Sequence, residues 1–180
     1  MCSSDLAARF VEEIDAIVQQ FIDFARGDDG EAAVACDLND MVEQLAADYV
    51  GLGTVFDLHL APLPPLRLRP VSMQRLVMNL MQNAVRHGGA ELSVRSAVRH
   101  GMALLAVEDR GPGVPASALA TLRQPFRRGV HADGKGGAGL GLAIADRIAR
   151  QSGGRLELRL RRSGGFSAML LLPLPLTDGA

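Results

Sequence analysis

Asn79, Asn83 and Arg86 stand four and three residues apart in a stretch that reads as helix, so they share one face. Asparagine in mid-helix carries a propensity cost, and two in register ask for a reason. Magnesium takes hard oxygen donors in an octahedron and keeps waters and substrate phosphates in its shell. A neutral carboxamide oxygen from Asn83 suits that ion when a triphosphate brings the negative charge, and Arg86, one turn on, suits a phosphate. Taken alone, the same face is as readily a solvated polar stripe.

Two further groups follow in order. Asp109 closes an apolar stretch and meets Gly111-Pro112-Gly113. A carboxylate there can accept a hydrogen bond from the exocyclic amine of adenine, where guanine would oppose two acceptors in a buried place. A common strand-to-turn Asp-Arg-Gly-Pro is the plainer alternative. Gly137-Ala138-Gly139-Leu140-Gly141 then opens a helix, whose free N–H groups and positive dipole end favour phosphate; a flexible loop before a helix is the alternative. As an ordered set the three describe a pocket for a magnesium nucleotide. Two look-alikes fail. Residues 129–135 imitate the front of a P-loop, but Gly136 replaces the required hydroxyl and no strand precedes it. The run from Gly111 to Ala116 imitates a dinucleotide fingerprint, but Pro112 and Pro115 remove N–H donors and no βαβ unit surrounds it.

The elements that must position these groups can be traced by period and punctuation. Ala7, Phe10, Ile14, Ile17, Phe21 and Phe24 form a helical seam over residues 5–26, suited to a bundle or to an amphipathic helix lying on its own domain. Residues 27–36 read as linker. A helix is expected near 38–49, capped by Asp37 or Asn39, then strands near 55–60 and 66–69. The asparagine helix spans about 72–87 and is stopped by Gly88-Gly89, with Met73, Leu76, Leu80 and Ala84 toward a sheet. Strands near 91–98 and 102–108 form a hairpin, a short helix follows Pro115, and residues 125–136 lack an apolar period and read as a long loop. A helix over 140–151 and strands near 155–160 and 166–172 complete the pattern. Paired strands with helices between them, without strict alternation, predict an α+β sandwich. At 180 residues and 48% hydrophobic, the chain supports one α/β core with a small appendage. A net charge of −1 with interspersed signs gives no reason to expect nucleic acid as a partner. Cys2 and Cys36 fit no metal spacing and point to a reducing compartment. No apolar run is long enough to span a bilayer, so this fragment is expected to be cytoplasmic.

With Gln124-Pro125-Phe126-Arg127-Arg128-Gly129 placed between the acid and the glycine-rich helix start, the chain resembles the catalytic ATP-binding domain of bacterial sensor histidine kinases. That domain belongs to the wider family of type II topoisomerases, mismatch-repair ATPases and heat-shock chaperones. Residues 79–87 resemble the N box, 109–113 the G1 box, 125–129 the F box and 137–141 the G2 box. The stretch Gln19 to Arg26 is most similar to the osmosensor-type branch. The resemblance implies the Bergerat α/β sandwich, a five-stranded mixed sheet under three helices with an ATP lid. It implies a catalytic domain over 37–176, a tail at 177–180, and in residues 1–26 the second helix of a dimerisation hairpin.

Carried over by position, Asn83 resembles the magnesium ligand, Asp109 the adenine-reading acid and Arg86 a phosphate contact. Asn79, His87, Gly111, Gly113, Gly137, Gly139, Leu140 and Gly141 fall among the nucleotide-binding positions. His87 stands where many relatives have an aromatic residue, with a core or solvated histidine as the alternative. Phe126 would anchor the lid, with Arg127, Arg128 and Lys135 facing the phosphates. The implied ligands are ATP and Mg2+. The implied partners are a histidine-bearing dimerisation helix of the parent kinase, a response regulator, and a second copy through residues 7–24; the parent is expected at the inner membrane. Hydrolases of the wider family carry a glutamate one turn before the metal-binding asparagine; here Asn79 takes that place and cannot accept a proton near neutral pH. None of His59, His87, His100 or His131 is followed by an acidic residue as family phosphoacceptors are. The leading expectation is therefore an ATP-binding phosphotransferase domain that acts on a histidine outside this chain. The alternatives are an anti-sigma-type serine kinase and a nucleotide-gated dimerisation module.

Overall fold

The computed structural model describes residues 30–89, 91–125 and 139–175. The expectations for the seam at 7–24, for Phe126, Arg127, Arg128, Lys135 and Gly137, and for the tail lie outside these residues. In chain order the elements are β1 (Val34–Cys36), α1 (Leu38–Gly51), β2 (Phe56–Leu60), β3 (Leu66–Leu68), α2 (Pro70–His87), β4 (Leu92–Arg99), β5 (Met102–Glu108), a 3-10 turn (Ala116–Ala118), α3 (Gly141–Gln151), β6 (Arg155–Leu160) and β7 (Phe166–Pro173).

Five strands form one mixed sheet in the order β2-β4-β5-β7-β6. β2 runs parallel to β4, with Phe56 opposite Leu92, and every other pair is antiparallel. A parallel pair needs a crossover between its strands, and α2 supplies it. Alternate residues of β5 and β7, among them Leu105, Val107, Ala168 and Leu170, join one hydrophobic core with Leu76 and Leu80 of α2 and Ile144 and Ile148 of α3. Each large aliphatic side chain buried there contributes about 1.5–3 kcal/mol. The expected sandwich of three helices on a five-stranded sheet is what the chain adopts, and Met73, Leu76, Leu80 and Ala84 are buried as the helical period requires.

The start of α2 differs from expectation and shows why. Pro70 occupies the first turn, where its missing N–H costs nothing, so the helix begins two residues before Ser72. Its N-cap residue, Arg69, makes no side-chain cap bond. Glu31 does that work from outside. Its Oε1 accepts from Val71 N at 2.6 Å, and its Oε2 accepts from Ser72 N at 3.1 Å and Ser72 Oγ at 2.5 Å. Arg69 Nε donates to the Glu31 carbonyl at 3.1 Å. A carboxylate at a helix N-terminus also meets the positive end of the dipole. Burial pushes the Glu31 carboxyl up, but the Ser72 hydroxyl, the Val71 and Ser72 N–H groups and Arg69 outweigh it and hold the group below the ordinary carboxylate range.

Residues 27–36 were expected to be linker throughout. From Glu31 onward they are part of the folded domain, because β1 pairs antiparallel with β3, Val34 opposite Leu68 and Cys36 opposite Leu66. Asp37 is the cap of α1, its Oδ1 accepting from Asn39 N at 2.8 Å and Asp40 N at 3.2 Å. Asn39 turns its side chain elsewhere and donates from Nδ2 to the Ala61 carbonyl at 2.9 Å.

Candidate functional site

Asp109 leaves the end of β5 almost wholly buried, 3% exposed. Its backbone N–H donates to the Phe166 carbonyl at 3.0 Å, which extends the β5–β7 ladder by one residue. In return Phe166 N donates to Asp109 Oδ1 at 3.2 Å, and Gly111 N donates to the same oxygen at 2.9 Å. Both side-chain bonds fall on Oδ1. The carboxylate is thus held through Oδ1 by two backbone N–H groups.

Three glycines bring backbone against this acid from three elements. Gly88, the buried residue that ends α2, would place a Cβ 2.7 Å from Asp109 Cγ. A Cβ on Gly111 would lie 2.6 Å from the His87 carbonyl oxygen, and one on Gly165, in the β6–β7 turn, 2.7 Å from Arg110 Cα. A side chain at any of the three would fill the cradle. Gly113 serves differently: its φ of +67° makes the turn, and a Cβ there would meet neighbours only at ordinary contact distance, 3.5 Å from Gly165 O.

The polar face of α2 divides by role. Asn79 is half-buried and donates from Nδ2 to the Arg75 carbonyl one turn back at 3.0 Å. Its Oδ1 lies 3.2 Å from the place a Cβ on Gly141 would take, so it sits where α2 crosses the start of α3. Asn83, also half-buried, makes no side-chain hydrogen bond among the described residues. Arg86 and His87 are exposed on the last turn, next to the Gly111 turn that packs on the His87 carbonyl. α3 starts at Gly141 after Gly139, at φ +68°, and buried Leu140. Among the described residues no side chain caps its first turn, and the N–H groups there could donate to an anion.

These residues fit a magnesium nucleotide. Among the described residues no group of three or more His, Cys, Asp or Glu side chains is arranged to hold a metal. A lone carboxamide suits an ion that arrives on a triphosphate and keeps its waters. A separate cavity of about 530 Å3, between residues 53–57 and 89–92, contains none of the expected site residues.

The structure therefore brings Asn83, Arg86, His87, Asp109 and Gly111 to one end of the sheet, with Gly139, Leu140 and Gly141 opening the helix beside Asn79. Sequence reasoning missed Gly88 as a close-approach residue, the Phe166 N–H, and the Arg161–Gly165 turn. The doublet Gly164-Gly165 between two strands was the available signal; both take positive φ, +85° and +92°.

Comparison with known proteins places this geometry. Residues 69–176 match the family described as histidine kinase-, DNA gyrase B-, and HSP90-like ATPase. The chain belongs to that family, on the branch of the sensor histidine kinase catalytic domains. It is similar to the alginate biosynthesis sensor protein KinB of Pseudomonas aeruginosa, 30% identical over 95% of this chain and 31% of the relative. Similarity to the sensor histidine kinase GtrS of the same species is 33% over 92% of this chain and 34% of the relative. Among solved structures, the histidine kinase domain of the E. coli osmosensor EnvZ aligns with a TM-score of 0.65 and 34% identity, over 86% of this chain and 96% of that one. The chain spans about a third of the length of these curated relatives. Their identity as sensor histidine kinases favours the leading expectation over the anti-sigma-type and dimerisation-module readings. Among the described residues, no helix is long and apolar enough to cross a membrane.

Proposed function

We propose that this domain binds ATP with Mg2+ and presents the γ-phosphate to a histidine on a dimerisation helix of its parent kinase, from which a response regulator then receives it. The observation that supports the reading is Asp109, buried at the end of β5 with both backbone N–H bonds on Oδ1, so that Oδ2 is left to read a base. The exocyclic amine of adenine donates to that oxygen, and guanine offers no donor there. Asn83 would supply a carboxamide oxygen to a Mg2+ brought by the triphosphate, which when bound would offset phosphate charge. Arg86 and the first turn of α3 hold phosphate oxygens.

Transfer is a displacement at phosphorus. An imidazole nitrogen of the acceptor histidine bonds to the γ-phosphorus, the bond to the bridging oxygen breaks, and ADP leaves with that electron pair. The acceptor ring loses its N–H proton to solvent. Asn79 supports transfer over hydrolysis, because its carboxamide is occupied at the α2–α3 crossing and cannot remove a proton from water. Phe126, Arg127, Arg128, Lys135 and Gly137 complete the site as lid and phosphate contacts, and residues 7–24 pair two copies.

The test supplies the histidine-bearing dimerisation hairpin of a related kinase as a separate polypeptide, with γ-labelled ATP. Label should appear on the hairpin as acid-labile, base-stable phosphate, and none on the chain itself. Labelling of the chain's own His59 or His131 would overturn the reading, as would transfer from GTP at the rate of ATP.

A further inference from the structure

Asp109 is held mainly by a part of the chain that carries none of the four motifs. The β6–β7 turn closes with Arg161 N donating to the Gly165 carbonyl and Gly164 N donating to the Arg161 carbonyl, both at 3.1 Å. From this turn the Arg161 side chain, 20% exposed, donates from Nη1 to the Asp109 carbonyl at 2.8 Å. Its Nη2 lies 3.7 Å from Glu108 Oε2, a carboxylate that is itself 17% exposed and lies 3.3 Å from Arg95 Nε. The two prongs of one guanidinium therefore span consecutive residues at the end of β5.

This reach is more than a hairpin needs. In the sheet β7 lies between β5 and β6, so Arg161 passes over the neighbouring strand to engage the next one. Gly165 makes the passage possible, because any Cβ there would collide with Arg110 Cα and with the Asp109 carbonyl that Arg161 holds. With the Phe166 exchange added, the same turn and strand engage the amide, the carbonyl and one side-chain oxygen of Asp109. Fixing the carbonyl fixes the Asp109–Arg110 peptide plane, and with it the direction in which the side chain leaves the backbone. A hydrogen bond to a base tolerates only a few tenths of an ångström of drift before it weakens.

We infer that Arg161, oriented by Glu108 and admitted by Gly165, is a positioning residue that sets the base-reading geometry of Asp109. It touches no nucleotide itself. The inference rests on the proposed role of Asp109 in reading adenine. Its consequence is that base selectivity is set partly in the last hairpin, some fifty residues from the acid.

The experiment measures ATP and GTP affinity by calorimetry on the full chain for Asp109→Ala, Arg161→Met, Arg161→Lys and the Asp109→Ala/Arg161→Met pair, with urea midpoints as the check on folding. Asp109→Ala should abolish the preference for ATP over GTP. Arg161→Met should lower that preference roughly tenfold, the scale of coupling between contacting residues, and change the pair less than about twofold when Asp109 is already alanine. Arg161→Lys, whose single ammonium can satisfy one partner, should fall between. Glu108→Gln leaves the bonds of the hairpin intact and should lower the preference about threefold, which keeps the test decisive if Arg161→Met unfolds. A preference unchanged in the Arg161 and Glu108 variants, while Asp109→Ala loses it, would overturn the inference alone. So would an Arg161→Met effect of equal size with and without Asp109, which marks a role in hairpin stability only. If Asp109→Ala keeps the preference for ATP, the adenine reading falls and the inference falls with it.

Discussion

Replacing Gly88 with alanine tests the close packing of the end of α2 against Asp109, since the new Cβ would lie 2.3 Å from Asp109 Cβ and 2.4 Å from the Ala84 carbonyl oxygen. Gly88 has φ −86° and ψ −15°, a conformation open to any residue, so no backbone strain enters. Alanine at a helix end is if anything favoured, by up to about 1 kcal/mol over glycine in a helical position. Against this, the new Cβ lies 2.3 Å from Asp109 Cβ and 2.7 Å from its Cγ, where carbon atoms settle near about 3.5 Å, so the Asp109 side chain and the end of α2 must separate by roughly 1 Å. The side chain cannot do so freely, because Oδ1 is held by Gly111 N and Phe166 N at 2.9 and 3.2 Å. Overpacking of this kind costs about 1–3 kcal/mol, more than the helix gains. The displaced oxygen also loses its bond to adenine, worth about 1–3 kcal/mol when buried. The expected outcome is a fall in urea midpoint at unchanged slope, together with ATP affinity about tenfold weaker and GTP affinity little changed. A Gly88→Ala variant as stable as the parent and equally selective for ATP would refute this account of the cradle.

Asn83→Ala should remove the Mg2+ dependence of ATP binding while leaving metal-free binding near its original strength, seen by titration with and without the ion. Glu31→Gln should destabilise the domain by about 1 kcal/mol at neutral pH, the scale of a lost cap. The folded carboxyl lies below its unfolded value, so its contribution is complete above about pH 4.3 and disappears as pH falls through the folded value. The gap between Glu31→Gln and the parent should therefore close in acid, and a gap that widened there would contradict the assignment. Asp146, 2% exposed in α3, pairs with Arg150 and, at 3.7 Å, with Arg123, whose Nη1 also donates to the Leu156 carbonyl at 3.2 Å. Asp146→Ala should cost about 1–2 kcal/mol by chemical denaturation, less than the ~3–5 of a fully buried pair, because both arginines can return to water.

Periodicity and punctuation made most of the framework legible. Leu76, Leu80 and Ala84 repeat at helical spacing, and Val94 and Leu105 alternate as strands do, so the sandwich followed from which faces must be covered. Asn83 and Asp109 stood out because their types are costly where they occur. What escaped was non-local. β1 is three residues long, too short to show a period, and exists because β3 lies beside it. Glu31 caps a helix forty residues away, which no local cap rule finds. The Asn79 and Asn83 side chains look equivalent on one face, yet Asn79 bonds back to the Arg75 carbonyl and packs beside Gly141 at the start of α3, while Asn83 does neither. Arg161 looked like one of many arginines in an arginine-rich chain, and nothing near it in sequence marks Asp109 as its target.

The parallel pairing of β2 with β4 bears on how the pocket comes into existence. β4 with β5, and β6 with β7, are joined by short turns and meet through local contacts, whereas β2 with β4 and, across a longer stretch still, β5 with β7 pair residues far apart in the chain. Contacts that close long loops form late, because the chain entropy is lost before they are rewarded. Asp109 and its partner Phe166 lie at the β5–β7 closure, and Asn83 lies on the crossover helix of the β2–β4 closure. On the proposed reading a nucleotide touches both, so it binds only the form in which both are in place and draws the folding equilibrium toward that form in proportion to its concentration over its dissociation constant. Refolding rate and thermal midpoint should both be read with the nucleotide concentration stated, since such a ligand spans both long-range closures of the sheet.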